Sequence, residues 1–237
     1  MPGRLVISLD FELYWGVRDK RTLASYRQNL EGVHRAIPAM LELFSGEGIR
    51  ATWATVGLLM CSGADEVRRR FSERPGYART ELCPYRYLDG GIEAGSESLH
   101  FAPDLVERIV RTPGQELGTH TLSHFYCLEE PVRVSAFEAD MRAALDLAQE
   151  KFGVRPRSLV FPRNQSSPEH VAAAGRLGIR TVRGNPPGWL WAARPDGEES
   201  RIRRLGRLLD AYAPLPSAAP APEGDPVDVR ATRYLRP

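Results

Sequence analysis

Short β-rich runs alternate with helix-type segments along most of this chain, and that rhythm narrows the fold more than any other feature. Leu5–Leu9 is an apolar run of strand type. Tyr26, Leu30, Val33, Ile37, Leu41 and Phe44 recur at helical spacing between Ser25 and Phe44. Pro38 inside that segment predicts a kink or a break into two helices, and Gly46 and Gly48 close it. Arg50–Val56 is the second strand, and Leu58–Phe71 a second helix interrupted at Gly63. The polar, Pro/Gly-containing stretch from Ser72 to His100 is expected to be a functional or disordered loop. Then come a short helix (Pro103–Val110), a strand (Gln115–Thr119) and an amphipathic helix (Val134–Lys151) built on Phe137, Met141, Leu145 and Ala148. Arg157–Phe161, Pro168–Leu177 and Ile179–Val182 read as strand, helix and strand. Glu198–Leu209 reads as an arginine-rich helix, and Val227–Leu235 as a last short strand. Between these two, Ala213–Pro226 holds five prolines and four alanines, the composition of a linker or surface loop.

Strand–helix alternation implies an α/β protein with a parallel sheet covered by helices, open or closed into a barrel. In both forms the chemistry sits at the carboxyl ends of the strands. The 237 residues are expected to form one domain, 1–237, with the Pro/Ala-rich loop at 213–226.

The 32 basic and 30 acidic residues nearly cancel, with lysine only at positions 20 and 151. That balance argues against a dedicated nucleic-acid domain. A stretch of some 18 apolar residues is missing, so no transmembrane segment is expected. Cys61, Cys83 and Cys127 show no CxxC spacing and suit a reducing compartment. With no secretory pattern at the N-terminus, the expected location is cytoplasmic.

The strand ends carry the chemistry. The first strand ends in Asp10-Phe11-Glu12, two carboxylates two apart and therefore on one face. The third ends in Gly118-Thr119-His120-Thr121-Leu122-Ser123-His124. His120 and His124 share a face if the segment turns helical after the strand. Two imidazoles and a carboxylate form a common catalytic zinc set with one position left for water. The metal acidifies that water, and a spare carboxylate serves as general base. Asp10 and Glu12 supply one ligand and one base. The fourth strand ends in Phe161-Pro162-Arg163-Asn164-Gln165. Arg163 there is placed to orient the base or hold an anionic group. Asn164 and Gln165 are candidates for binding substrate hydroxyls or amides. Trp53 belongs either to a sugar-binding wall or to the core.

SLDFE, ATWATVG, ELGTHTLSH and SLVFPRNQ, in that order between about Leu5 and Arg183, resemble the polysaccharide deacetylase family, the NodB-homology carbohydrate esterases. The resemblance implies a distorted, incomplete (β/α) barrel. It also implies a divalent metal, zinc foremost, used to hydrolyse N- or O-acetyl groups on a sugar or glycan precursor. It makes His120 and His124 metal ligands, Asp10 the base and Glu12 the metal carboxylate. Because the motif is Asp-Phe-Glu rather than two adjacent aspartates, the two acids can exchange roles. Arg163 stands for the family's motif arginine. The family's last histidine, which protonates the leaving amine, has no counterpart here: the remaining histidines are His34, His100 and His170. The alternatives are therefore a degenerate member that binds metal and carbohydrate without turnover, or a hydrolase of a non-sugar amide.

Overall fold

The computed structural model describes residues 5–195, 198, 200–212 and 224–232. Six strands, β1 (Ser8–Phe11), β2 (Ala51–Thr55), β3 (Gln115–Thr119), β4 (Ser158–Val160), β5 (Thr181–Arg183) and β6 (Val227–Asp228), form one sheet. Their spatial order is their sequence order, and every pairing is parallel. The Pro/Ala-rich segment 213–223 lies outside the described residues.

The sheet is curled. A flat sheet would hold β1 and β5 about 19 Å apart at ordinary strand spacing, beyond the span of one side chain. Arg183 on β5 nonetheless donates to Asp10 on β1 at 2.8 Å, and to Ser8 at 3.0 Å. Sequential parallel order with this curvature is that of a (β/α) barrel, and among the described residues no backbone pairing joins β6 to β1.

Register sets the two faces. Leu9 lies beside Trp53, and Trp53 beside Leu117; these side chains face the helices. Asp10 lies beside Ala54 and Ala54 beside Gly118, on the inner face. Helices α1 (Leu23–Gly46), α2 (Ala64–Arg70), α4 (Pro103–Arg111), α5 (Val134–Phe152) and α6 (Pro168–Arg176) cover the outer face in two apolar clusters.

Helix α1 runs as one helix through Pro38, so the expected alternative of a break into two helices does not hold. An interior proline costs about 3 kcal/mol. Leu30, Ile37 and Leu41 are buried on either side of it, each worth roughly 1.5–3 kcal/mol, so packing outweighs the lost hydrogen bond. The 72–100 stretch also differs from expectation. It contains α3 (Pro84–Asp89) and two single-turn 3-10 segments, and it buries Tyr77, Leu82, Tyr85, Leu88 and Leu99. Its apolar residues are core, but their irregular spacing hides this from a periodicity argument.

Candidate metal centre

Glu12 leaves β1 into a 3-10 turn, Leu13–Gly16, that folds back over its side chain. A Cβ at Gly16 would lie 2.0 Å from Glu12 Cδ, so only glycine lets the carboxylate tuck in. His120 follows β3 directly, and its backbone N–H still donates to Thr55 of β2. His124 comes four residues later, through a bend rather than the helical turn expected from the spacing. Thr121 and His124 hold φ of 64° and 56°, in the left-handed region that non-glycine residues rarely adopt. The bend is pinned from outside. Asp140, buried on α5, accepts from the Leu122 N–H at 2.7 Å, from the Ser123 N–H at 3.4 Å and from the Ser123 hydroxyl. Thr121 Oγ1 accepts from the Phe125 N–H at 2.7 Å. Burial pushes the Asp140 carboxyl up to about 6, against these hydrogen bonds.

The product is a three-residue cluster. Glu12, His120 and His124 each offer one ligand atom, all within 4.8 Å of one another. Glu12 Oε2 is 3.1 Å from His124 Nε2 and 3.5 Å from His120 Nε2. Both imidazoles are buried, while the Glu12 side chain is 29% exposed, which leaves an approach from solvent. His120 Nδ1 lies 2.7 Å from the Val160 carbonyl. A carbonyl only accepts, so Nδ1 carries a proton, and Nε2 is the ring atom turned to Glu12. Burial pushes His124 below its ordinary pKa, with the Glu12 carboxylate opposing. Burial would raise the Glu12 carboxyl, but the hydrogen bonds of His120 and His124 hold it well below the usual carboxylate range. With a divalent ion bound, Glu12 and the two Nε2 atoms would turn their lone pairs to the ion in place of these hydrogen bonds. Donor chemistry, tautomer and spacing all fit a divalent metal, and two imidazoles with one carboxylate suit zinc.

Asp10 stands apart from this cluster. Its two oxygens accept from Arg183 Nη1 and Nη2, both at 2.8 Å. The guanidinium on Asp10 is thus that of Arg183, not Arg163 as the motif position suggested. Arg163 and Asn164 both hold φ 53°, and this turn sends Arg163 elsewhere. Its Nη2 donates to the buried Asp19, and its guanidinium lies 4.4 Å over the Tyr126 ring. Tyr126 packs edge-on against His124 at 5.1 Å, so Arg163 backs the cluster through an aromatic ring.

Two expected substrate contacts are corrected. Trp53 is 2% exposed, packs against Phe44 and donates to Gln115 at 3.0 Å; strand parity turns it to the helices, not to a sugar-binding wall. Gln165 is 1% exposed and ties loops together, donating to Glu129 and the Arg194 carbonyl and accepting from the Leu128 N–H. Asn164 stays at the rim, 3.5 Å from Arg183 Nη2, with its carbonyl accepting from Asn185 at 3.0 Å.

Sequence reasoning did not single out Arg183, Asp19 or Asp140. Arg183 ends the β5 run, so the strand-end rule could have found it. Asp140 is an acid on the apolar face of α5, a legible signal. Asp19 lies in a loop with no pattern to mark it.

A family model described as polysaccharide deacetylase matches residues 31–182. That span holds His120, His124 and Arg163; Asp10 and Glu12 precede it. No curated protein matches the chain. Among solved structures, a protein assigned as a polysaccharide deacetylase from Mycobacterium smegmatis is 12% identical, with a TM-score of 0.48 over 75% of this chain and 49% of that one. A de-N-acetylase from Aggregatibacter actinomycetemcomitans is 13% identical, with a TM-score of 0.47 over 85% and 73%. A CE4 family pseudoenzyme from Bacillus anthracis is 13% identical, with a TM-score of 0.43 over 77% and 44%. The chain thus spans about half the length of the first of these. No helix among the described residues is long and apolar enough to cross a membrane.

Proposed function

The chain belongs to the polysaccharide deacetylase family, and from that premise we propose that it is a metal-dependent hydrolase removing acetyl groups from an N- or O-acetylated sugar or glycan precursor. The observation that carries this reading is the convergence of Glu12, His120 and His124; Asp10, two residues before Glu12 in the chain and anchored by Arg183, is a separate carboxylate.

A divalent ion held by Glu12, His120 and His124, zinc foremost, supplies Lewis acidity to the acetyl carbonyl and acidity to water. Asp10 takes the proton of the attacking water as general base. Arg183 grips both Asp10 oxygens and fixes the direction from which that proton is accepted. Val160, through its carbonyl, keeps His120 in the tautomer that leaves Nε2 free. Arg163 steadies Tyr126 behind His124. Asn164 and Asn185 line the rim, where amides suit sugar hydroxyls. The three free, buried cysteines suit a reducing compartment, which favours a small or carrier-linked precursor over finished wall polymer.

A second reading, metal and carbohydrate binding without turnover, is favoured by the histidines. His34 lies on α1 beside the Ser98 carbonyl, His100 is buried against Tyr87, and His170 is buried on α6 beside Ser167. None stands at a strand end to protonate a leaving amine. Metal analysis followed by an acetate-release assay on acetylated amino sugars separates the two. Metal with acetate release is expected; metal without it favours the second reading.

A further inference from the structure

The turn that confines Glu12 is itself strained. Leu13, the next residue, has φ 44°, in the left-handed region that a leucine rarely adopts. Such a conformation persists only where the surrounding structure over-determines it. The turn closes with the Trp15 N–H donating to the Glu12 carbonyl at 3.1 Å. It ends at Gly16, which lies so close to the Glu12 carboxylate that no side chain fits between them. The placement of Trp15 and Gly16 therefore decides what space the carboxylate has.

The bracing comes from the end of the 72–100 stretch. Trp15 is fully buried, and its indole N–H donates to the His100 carbonyl at 2.6 Å. The His100 ring, also fully buried, is wedged against both aromatic residues of the turn. Tyr14 meets it edge-on at 5.3 Å and Trp15 at 5.4 Å. Tyr87 of α3 stacks on it at 5.6 Å. The Tyr14 hydroxyl donates onward to the Arg21 carbonyl at 2.9 Å, which ties down the chain beyond the turn.

His100 is held at both ring nitrogens. Nδ1 lies 2.8 Å from the Ser96 carbonyl, which only accepts, so Nδ1 carries a proton. Burial keeps the ring below its ordinary pKa, so at neutral pH Nε2 is bare and accepts from the Tyr87 hydroxyl at 2.9 Å. One ring thus serves a carbonyl and a hydroxyl while packing against three aromatic residues. A phenyl ring would fill the same space and serve neither.

We propose that His100 is a positioning residue for the metal centre: it clamps Tyr14 and Trp15, and through Gly16 it fixes the Glu12 carboxylate where His120 and His124 meet it. The two halves of the site are then braced alike. Asp140 holds the bend that delivers His124, and His100 holds the turn that delivers Glu12. The proposal rests on the reading of Glu12, His120 and His124 as metal ligands.

Zinc dissociation constants of the whole chain, measured by competition with a chelator, test it. Trp15→Phe keeps an aromatic ring in the cluster and removes the N–H that reaches His100; it should weaken zinc binding about three- to tenfold. His100→Ala opens the clamp and should weaken it about 10–100-fold. Glu66→Gln is a destabilising change among Ser62, Arg70 and Lys151. It should bind zinc as the wild type does, which separates positioning from a general loss of stability. If His100→Ala does not fold, Trp15→Phe decides alone. Wild-type zinc affinity in Trp15→Phe, or an equal loss in Glu66→Gln, would overturn the proposal and leave the metal centre intact. A wild-type chain that binds no zinc would overturn the metal centre itself, and the proposal with it.

Discussion

Arg183 closes on Asp10 with both arms of its guanidinium, Nη1 to Oδ1 and Nη2 to Oδ2, and thereby joins the fifth strand of the sheet to the first. The same contact shows the curvature of the sheet and fixes the carboxylate proposed as base. If Arg183 acts through Asp10, the two substitutions are not independent. Asp10→Asn should lower turnover by roughly 10²–10⁴, and Arg183→Gln by about 10–100-fold. The double variant should then be no slower than Asp10→Asn. Multiplied penalties in steady-state kinetics would show that Arg183 serves something other than Asp10.

The histidine inventory bears on the leaving group. Expelling an amine needs a proton, and a positioned acid contributes about 10²–10⁴ in rate. An alkoxide leaves far more readily than an amide anion. With His34, His100 and His170 all engaged away from the strand ends, the chain should hydrolyse activated acetate esters faster than N-acetyl sugars. The ratio of the two turnover numbers, measured on one preparation, checks this. Rapid N-deacetylation would require an acid among other residues.

Asp140 holds the bend that delivers His124. Asp140→Ala would strand two buried N–H groups and a hydroxyl, at a cost of about 1–3 kcal/mol for each donor left unsatisfied. Metal affinity should fall about 10–100-fold, alongside a lower melting temperature. Wild-type affinity in a destabilised variant would mean that the bend holds its shape without Asp140.

A partly buried ion pair, Glu66–Lys151, joins α2 to α5. Burial would raise the Glu66 carboxyl, yet hydrogen bonds from Lys151 and Ser62, with the charge of Lys151, hold it at about 2. A depressed folded-state pKa stabilises above the unfolded value, near 4.5, and that contribution fades as pH falls through about 2. Glu66→Gln should therefore cost about 1–3 kcal/mol at pH 7, with the gap to wild type narrowing between about pH 4.5 and 2. Urea unfolding across that range measures it; a gap independent of pH would place the loss in packing rather than charge.

Much of this was legible in the residues. The third strand was read residue for residue, and the alternation of elements gave the parallel sheet and pointed to the strand ends. Glu12, His120 and His124 were identified by residue type and position. What stayed hidden were side-chain directions. The His120–His124 spacing suggested a helical turn, because left-handed backbone at Thr121 and His124 has no glycine to announce it. Trp53 was open to two readings because its facing depends on register with Leu9, which pairing alone reveals. Arg163 misses the expected carboxylate because two successive left-handed residues, Arg163 and Asn164, redirect the chain, and Arg183, which the sequence did not single out, takes that place on Asp10. Gln165 follows a strand and is polar, yet the 194 segment folds over it.

The assignment of Glu12 as ligand and Asp10 as base is tested most directly by metal content. Elemental analysis of the purified chain and of the Glu12→Gln and Asp10→Asn variants asks one question of both acids. The account predicts about one divalent ion per chain in the wild type and in Asp10→Asn, and loss of most of it in Glu12→Gln, since three protein ligands leave no redundancy. Metal retained in Glu12→Gln and lost in Asp10→Asn would contradict it and exchange the two roles.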